Sequence, residues 1–522
     1  MDGAPVQTES HQASVVILAL SGLTLALGFA FQVVLAAKVG AGREMDIYLV
    51  AITLPTAAAA LAITVLPATL VPLIKARLAS PGSQEWHGFF ASAAGFAAVI
   101  AAVLVVPLEL AARPVVRMVA PGFDPEAVAA AAWLLRLMLI GSWFDAIRGV
   151  QSAAFYAQER FWQPQLAPSL KHVVMLASAV WLLPKLGLPG LALGWTLGSV
   201  AMWLALDPAS VLPKTGSAGR GLSAPPAVRS FRLAVPVLMV ALLGQATPLI
   251  DRLVASMLAP GSISYLGYGA KIMEVMLRTT PMAVALALFP RLSAQAGAAE
   301  WPEFGRTISA GLRKIALTSV PLAVAVVMLC RPLVIVLFQR GVFDATATAG
   351  VATAVGWYAV AFVPAAAAGM LAQAIYATQR AWTLAAITAG AVAVNIGLDF
   401  LLAKAVGFAG VAIAFVAVST MLCFALLGVV RGDLAAVGWS DLRRACGEVM
   451  VAVAAMAATL LVWSRLAPLG ARPGAQLAFA VAGRAGLALA MYVVVLLLVG
   501  NAEVRWAAGR VHEMLVVRPR TK

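Results

Sequence analysis

The residues of this chain that could do chemistry are charged side chains set into apolar sequence. The densest group runs from Pro248 to Pro290, PLIDRLVASMLAPGSISYLGYGAKIMEVMLRTTPMAVALALFP, and carries Asp251, Arg252, Lys271, Glu274 and Arg278. Further on, AVNIGLDFL places Asn395 and Asp399 four residues apart, on one face of a helix. An ionised side chain at membrane depth costs about 2.5–3.5 kcal/mol on insertion scales, so such residues face a wet cavity or a partner. Asp251, Asp399 and Asn395 are hard oxygen donors of the kind that suits Na⁺ or a proton. The plainer alternative is a hydrogen-bonded Asn395–Asp399 pair, with Asp251 neutralising Arg252. Lys271 suits an anionic headgroup, and it can equally pair with Glu274 one turn on.

Nothing in the chain points to bond-making chemistry. It has no G-x-x-x-x-G-K-[ST] for nucleotide phosphates and no H-E-x-x-H for a metal. The cysteines Cys330, Cys423 and Cys446 lack metal or disulfide spacing, and His11, His87, His172 and His512 form no cluster. The expectation is a protein that is not an enzyme.

The elements that must position these residues follow from composition. The chain has 522 residues, 62% of them hydrophobic and 11% charged, with a mean hydropathy of +0.94. That profile predicts an all-α polytopic membrane protein. Apolar runs of about 20 residues span the hydrocarbon core. Six such runs lie between Ser14 and Leu206 and six between Leu233 and Val430. Two more, Met450 to Trp463 and Leu477 to Val499, bring the expected total to about fourteen. The first run is long enough to span and follows a polar start, so it is expected to target the chain itself. A Pro/Gly/Ser-rich basic linker runs from Asp207 to Val228. The expected domains are residues 1–215 (first lobe and linker), 216–435 (second lobe) and 436–522 (two extra helices and a basic tail).

The net charge of +15 reads as topology rather than nucleic-acid binding. About 20 Lys and Arg fall on one side of the membrane and about 10 on the other. The richer side holds Lys75, Arg77, Arg306, Arg313, Lys314, Arg443, Arg444 and the tail cations Arg505, Arg510, Arg518, Arg520 and Lys522. The positive-inside rule makes that side cytoplasmic, with both termini expected on it.

An internal repeat organises the spans at an offset of about 220 residues. AFYAQERFW (Ala154 to Trp162) matches AIYATQRAW (Ala374 to Trp382), and LGLPGLALGW (Leu186 to Trp195) matches VGFAGVAIAF (Val406 to Phe415). Arg113-Pro114 followed by Gly122-Phe123-Asp124 matches Arg331-Pro332 followed by Val342-Phe343-Asp344. Each copy holds six spans, so the copies run parallel, a transporter architecture with substrate near the midplane. The offset puts Met175 and Ala179 where the second copy has Asn395 and Asp399. The polar pair is thus an addition to one copy, not a requirement of the repeat.

The stretch Leu27 to Pro55, with APGFDPE, SISYLGYGAKIMEV, LFQRGVFD and AIYATQRAW…NIGLDFLL in the same order, resembles the MurJ (MviN-type) lipid II flippases. The likeness covers about residues 14 to 500. That family sits within the multidrug/oligosaccharidyl-lipid/polysaccharide exporters. The resemblance implies export of an undecaprenyl-pyrophosphate-linked glycan by alternating access, coupled to a cation or to the membrane potential. The implied partners are the lipid-linked glycan, membrane lipids and cell-wall or polysaccharide synthesis proteins, with no cofactor beyond a Na⁺ coupling ion.

Residue by residue, the resemblance implies substrate contacts at Lys271, where the family's cavity arginine falls, with Glu274 and Arg252 beside it, and at Asp46, where its acidic loop residue falls. Its sodium ligands fall on Asp251, Asn395, Asp399 and the Val411 carbonyl; its hydroxyl ligand falls near Phe415, which cannot coordinate. Cavity arginines of the family align with Leu25, Phe31, Ala59 and Ala60, and an acidic residue with Thr64 or Val65. Lys171 and Arg148 are the candidates to replace that lost charge. Arg148 can alternatively pair with Asp145, and Lys171 is expected to snorkel to the cytoplasmic surface. The missing arginines leave open a related carrier of another lipid-linked glycan, such as an exopolysaccharide or capsule unit, or a non-transporting membrane scaffold.

Overall fold

The computed structural model describes residues 5–78, 86–207, 225–279, 281–433, 439–467, 474–506 and 508–509. The expected linker from 208 to 224 and the tail cations from Arg510 onward lie outside them. Among the described residues the chain forms seventeen helices and no strand. In hydrocarbon every backbone N–H and C=O must be paired within the segment, which a helix achieves by itself.

Contacts divide the chain into two compact units, Met1–Ser264 with Arg340–Ala347, and Tyr265–Gln339 with Thr348–Lys522. The first is built from α1 (Pro5–Val39), α2 (Arg43–Leu78), α3 (Trp86–Leu110), α4 (Ala112–Val119), α5 (Pro125–Ala157), α6 (Trp162–Trp181), α7 (Leu183–Leu186), α8 (Leu188–Ala205) and α9 (Pro225–Ser256). From Ser262 the chain continues as α10 (Ser262–Thr279), α11 (Pro281–Gly297), α12 (Trp301–Phe338), α13 (Ala345–Ala377), α14 (Ala381–Val406) and α15 (Phe408–Asp433). It closes with α16 (Trp439–Leu466) and α17 (Gly474–Val499).

Thirteen candidate spans among the described residues are long and apolar enough to cross a membrane. The fourteenth expected span is α6, which at 20 residues has the length. Its polar side chains dilute it: Gln163, Gln165, Lys171 and His172. They are tolerated because α6 lies between α1 and α8. There Gln165 donates to the Ser21 hydroxyl at 2.8 Å, and Ser169 and Thr24 share a hydrogen bond of 2.6 Å. Elsewhere large apolar side chains point outward, among them Phe96, Val103 and Leu104 on α3 and Phe479 and Leu498 on α17. Such faces suit acyl chains rather than water.

The duplication is written into the backbone. Gly187 and Gly407 adopt φ/ψ of 66/−150° and 65/−146°, a conformation open to glycine alone. Glu159 and Gln379 both sit at φ 59°. Asp124 and Asp344 each accept a hydrogen bond of 2.7 Å, from the N–H of Ala127 and of Ala347, at the start of α5 and α13. Each pair is separated by about 220 residues, as one duplicated chain requires.

Within the first unit, α8 meets α6 along Gly190, Gly194 and Gly198, spaced four apart on one face. A Cβ on Gly194 would collide with the Ser178 side chain, and one on Gly198 would lie 2.8 Å from the Lys171 Cγ. Thr196 of α8 also donates to the Leu137 carbonyl of α5 at 2.5 Å. In the second unit α16 and α17 pack on α12 around Val449, Met456, Leu477 and Leu496. The Tyr492 hydroxyl donates to the Leu317 carbonyl at 2.8 Å in the same cluster.

Gly194→Ala should destabilise the protein by about 1–3 kcal/mol through overpacking, and Gly194→Leu should prevent a monodisperse preparation. Thermal unfolding of the detergent-solubilised variants measures this; a wild-type midpoint for both would show that the α6–α8 contact is looser than described.

Candidate functional site

Asp46, in the first turn of α2, is buried and saturated with donors. Its carboxylate accepts from the Gly261 N–H at 2.6 Å, the Ser264 N–H at 2.8 Å and the Ser264 hydroxyl at 2.5 Å. These groups belong to the turn into α10, whose first N–H groups have no intrahelical acceptor. A carboxylate there is favoured by both the free donors and the helix dipole. Asp46 is thus placed as a clamp on that turn. On α9, Arg252 donates to the Thr53 hydroxyl of α2, and Asp251 beside it is half-buried.

Lys271, Glu274 and Arg278 form a stripe along one face of α10. Glu274 accepts from Lys271 at 2.8 Å and pairs with Arg278 at 2.9 Å. The Lys271 pairing that the spacing allows is therefore made. The pairing does not close the site, because two cations share one carboxylate and the Lys271 side chain keeps 27% of its exposure. The stripe carries a net positive charge on an otherwise apolar helix, and it can meet a phosphate oxygen while Glu274 holds both cations in place.

On α14, the Asn395 amide N–H donates to Asp399 Oδ2 at 2.6 Å, with both side chains fully buried. Val411, on the adjoining α15, is likewise buried. Phe415 packs edge-on against Tyr358, ring centroids 5.6 Å apart, and brings no oxygen. The pair supplies carboxylate and amide oxygens, a hard donor set that fits Na⁺ or H⁺ in chemistry. Among the described residues no three His, Cys, Asp or Glu side chains converge as a metal site.

A further charged cluster lies where the sequence led to a different expectation. Lys171 does not reach the surface: it is 7% exposed. It donates to Asp145 Oδ2 at 3.1 Å and to the Ser199 hydroxyl at 2.8 Å. Its ammonium lies 3.4 Å from the centroid of the Trp195 ring. The close approach of α6 to α8 at Gly198 holds its stem inside the unit, so snorkelling is blocked. Arg148 Nε stands 3.8 Å from the other oxygen of the same Asp145. The spacing of Asp145 and Arg148 signalled part of this cluster, and a further signal is that the three charged residues fall where the second copy has Ala365, Ala368 and Ala391.

Comparison with known proteins places this architecture. The family profile described as "Lipid II flippase MurJ" matches residues 35–470. A probable lipid II flippase MurJ of Vibrio cholerae is 27% identical over 510 residues, 94% of this chain and 96% of that protein. The lipid II flippase MurJ of Burkholderia cenocepacia is 27% identical over 76% of this chain and 80% of its own. Among solved structures, lipid II flippase MurJ in an inward closed conformation matches with a TM-score of 0.78 and 17% identity, covering 95% of this chain and all of that one. An inward-facing multidrug resistance transporter, of the MATE family in the MOP superfamily, shares the fold at a TM-score of 0.67 and 15% identity, over 81% of this chain and 98% of its own. Thirteen apolar spans, a duplicated six-helix pattern and a profile match over most of its length establish that the chain belongs to the MurJ lipid II flippase family of membrane proteins.

Proposed function

We propose that this protein is an inner-membrane flippase that carries lipid II, the undecaprenyl-pyrophosphate-linked peptidoglycan precursor, outward by alternating access. Both termini are cytoplasmic in this reading, following the Lys/Arg bias of the loops. The observation that carries it is the α10 stripe, two cations around one carboxylate, half-exposed on a helix of a lipid II flippase family member. A glycan pyrophosphate cannot cross about 30 Å of hydrocarbon unaided. A positive stripe lowers that barrier for the headgroup while the polyprenyl tail stays in lipid.

Lysine at position 271 binds as a point charge, without the planar fork that grips phosphate at two oxygens. Arg278, on the same face, supplies a fork. Glu274 keeps the two cations from repelling one another in the empty state, and its exchange of partners for substrate phosphate is the event that distinguishes loaded from empty carrier. Coupling to a cation is assigned to the Asn395–Asp399 pair. An ion biases such a carrier only through unequal affinity for its two states, and one charge moving with the field gains about 2.3 kcal/mol per 100 mV.

A second reading keeps the mechanism and changes the glycan. It rests on the first repeat, where the family's cavity arginines are replaced by Leu25, Phe31, Ala59 and Ala60, with Phe31 and Ala59 buried. Fewer cations there mean a different grip on the headgroup, as an exopolysaccharide or capsule carrier would need.

Expression in cells depleted of their essential lipid II flippase separates the two readings: restored growth supports lipid II, and failure at normal membrane abundance supports the other glycan. In whichever assay the wild type is active, Lys271→Ala should lower the rate at least about tenfold, the equivalent of about 1.4 kcal/mol. Lys271→Arg should retain activity. An active Lys271→Ala variant would remove α10 from the substrate path. Asp399→Asn should abolish the dependence of export on Na⁺ or on a proton gradient while leaving the protein folded; unchanged dependence would place coupling elsewhere.

A further inference from the structure

The cluster inside the first unit does not balance. Asp145, Arg148 and Lys171 are 0%, 2% and 7% exposed, and they carry two positive charges against one negative. The repeat has no structural need of them, since the second copy holds alanine at all three positions. A surplus charge in such surroundings is costly enough to demand an account.

The contacts show where the surplus sits. Lys171 donates to a carboxylate oxygen at 3.1 Å and to a hydroxyl at 2.8 Å, and its nitrogen lies over an indole ring at 3.4 Å. An ammonium ion can make all three contacts at once. Asp145 Oδ2 is taken by Lys171 and by the Ser199 hydroxyl at 3.2 Å. Asp145 Oδ1 accepts no hydrogen bond among the described residues. It faces Arg148 Nε at 3.8 Å, a long ion pair beyond hydrogen-bond distance, so one carboxylate is shared between two cations and Arg148 holds the weaker share. Neither Nε nor Nη2 has an acceptor among the described residues. Those two nitrogens form one side of the guanidinium, the edge that grips an anion with two parallel N–H bonds. Ser152, one turn further along the same face of α5, has a buried hydroxyl that also lacks a partner among the described residues.

We propose that the Nε/Nη2 edge of Arg148 is a buried binding site for a small monovalent anion of halide size, with Ser152 as a further donor. The anion supplies the missing negative charge. Deep burial limits the ligand to a small ion and excludes a lipid-linked headgroup. The inference does not depend on the glycan that the protein carries.

The test is the thermal unfolding midpoint of the full-length protein in detergent, measured in sodium chloride, sodium bromide and sodium gluconate at equal ionic strength. The wild type should unfold at least about 2 °C higher in either halide than in gluconate. Arg148→Met removes the binding edge and should abolish the difference. Lys171→Met leaves one cation and one carboxylate, so Arg148 can pair with Asp145, and the halide effect should vanish there too. That second variant keeps the test open should Arg148→Met fail to fold. A wild-type midpoint that is the same in halide and gluconate overturns the proposal. A halide effect that persists undiminished in Lys171→Met overturns it as well, because the anion would then bind elsewhere.

Discussion

The constraint on which this structure depends is that a charge placed among apolar helices must be answered by another group within reach. Hydrocarbon offers none, and an unanswered ion costs more than most single packing contacts return. Four charges in the core helices show how this is done. Asp46 is held by the Gly261 and Ser264 donors, Arg252 by Thr53, Lys171 by Asp145 and Ser199, and Asp399 by Asn395. The two kinds of partner have different consequences. Backbone donors and hydroxyls fix a charge without cancelling it, so the field of Asp46 persists beyond its turn. Opposed charges cancel, and only a remainder is left to act on a ligand.

That remainder separates structural charges from working ones. On α10 the remainder is positive and partly exposed. Around Arg148 it is positive and enclosed, so only a small ion can answer it. Both arrangements need close helix packing first. Gly190, Gly194 and Gly198 let α8 approach α6 until Lys171 lies against the Trp195 ring and the Ser199 hydroxyl. A larger residue at Gly194 would lift α6 away and leave Lys171 without its partners, so the packing and the electrostatics of this unit are one feature.

Much of this was legible in the sequence because it is periodic or local. Spans follow from apolar length, the repeat from collinear motifs, and the Lys271–Glu274–Arg278 stripe and the Asn395–Asp399 pair from helical spacing. What was not legible depends on partners distant in sequence. A lysine midway along a 20-residue helix reads as able to reach the surface, because nothing local to position 171 signals that Asp145 on α5 and Ser199 on α8 converge on it. Nor does anything local to Asp46 announce that its donors come from Gly261 and Ser264, far along the chain. The α6 span itself falls short by hydropathy and is secured by its neighbours α1 and α8.

The two copies of the repeat then say which features the fold requires and which have been added. Gly187 and Gly407, or Asp124 and Asp344, keep the same geometry in both copies because the chain cannot turn or begin a helix there without them. The charged residues do the opposite: Asp145, Arg148 and Lys171 face Ala365, Ala368 and Ala391, and Asn395 and Asp399 face Met175 and Ala179. Since the other copy packs with alanine or methionine there, these charges are not demanded by the repeat. The scaffold is that of its family, and the charges that differ between the copies are additions that the scaffold tolerates.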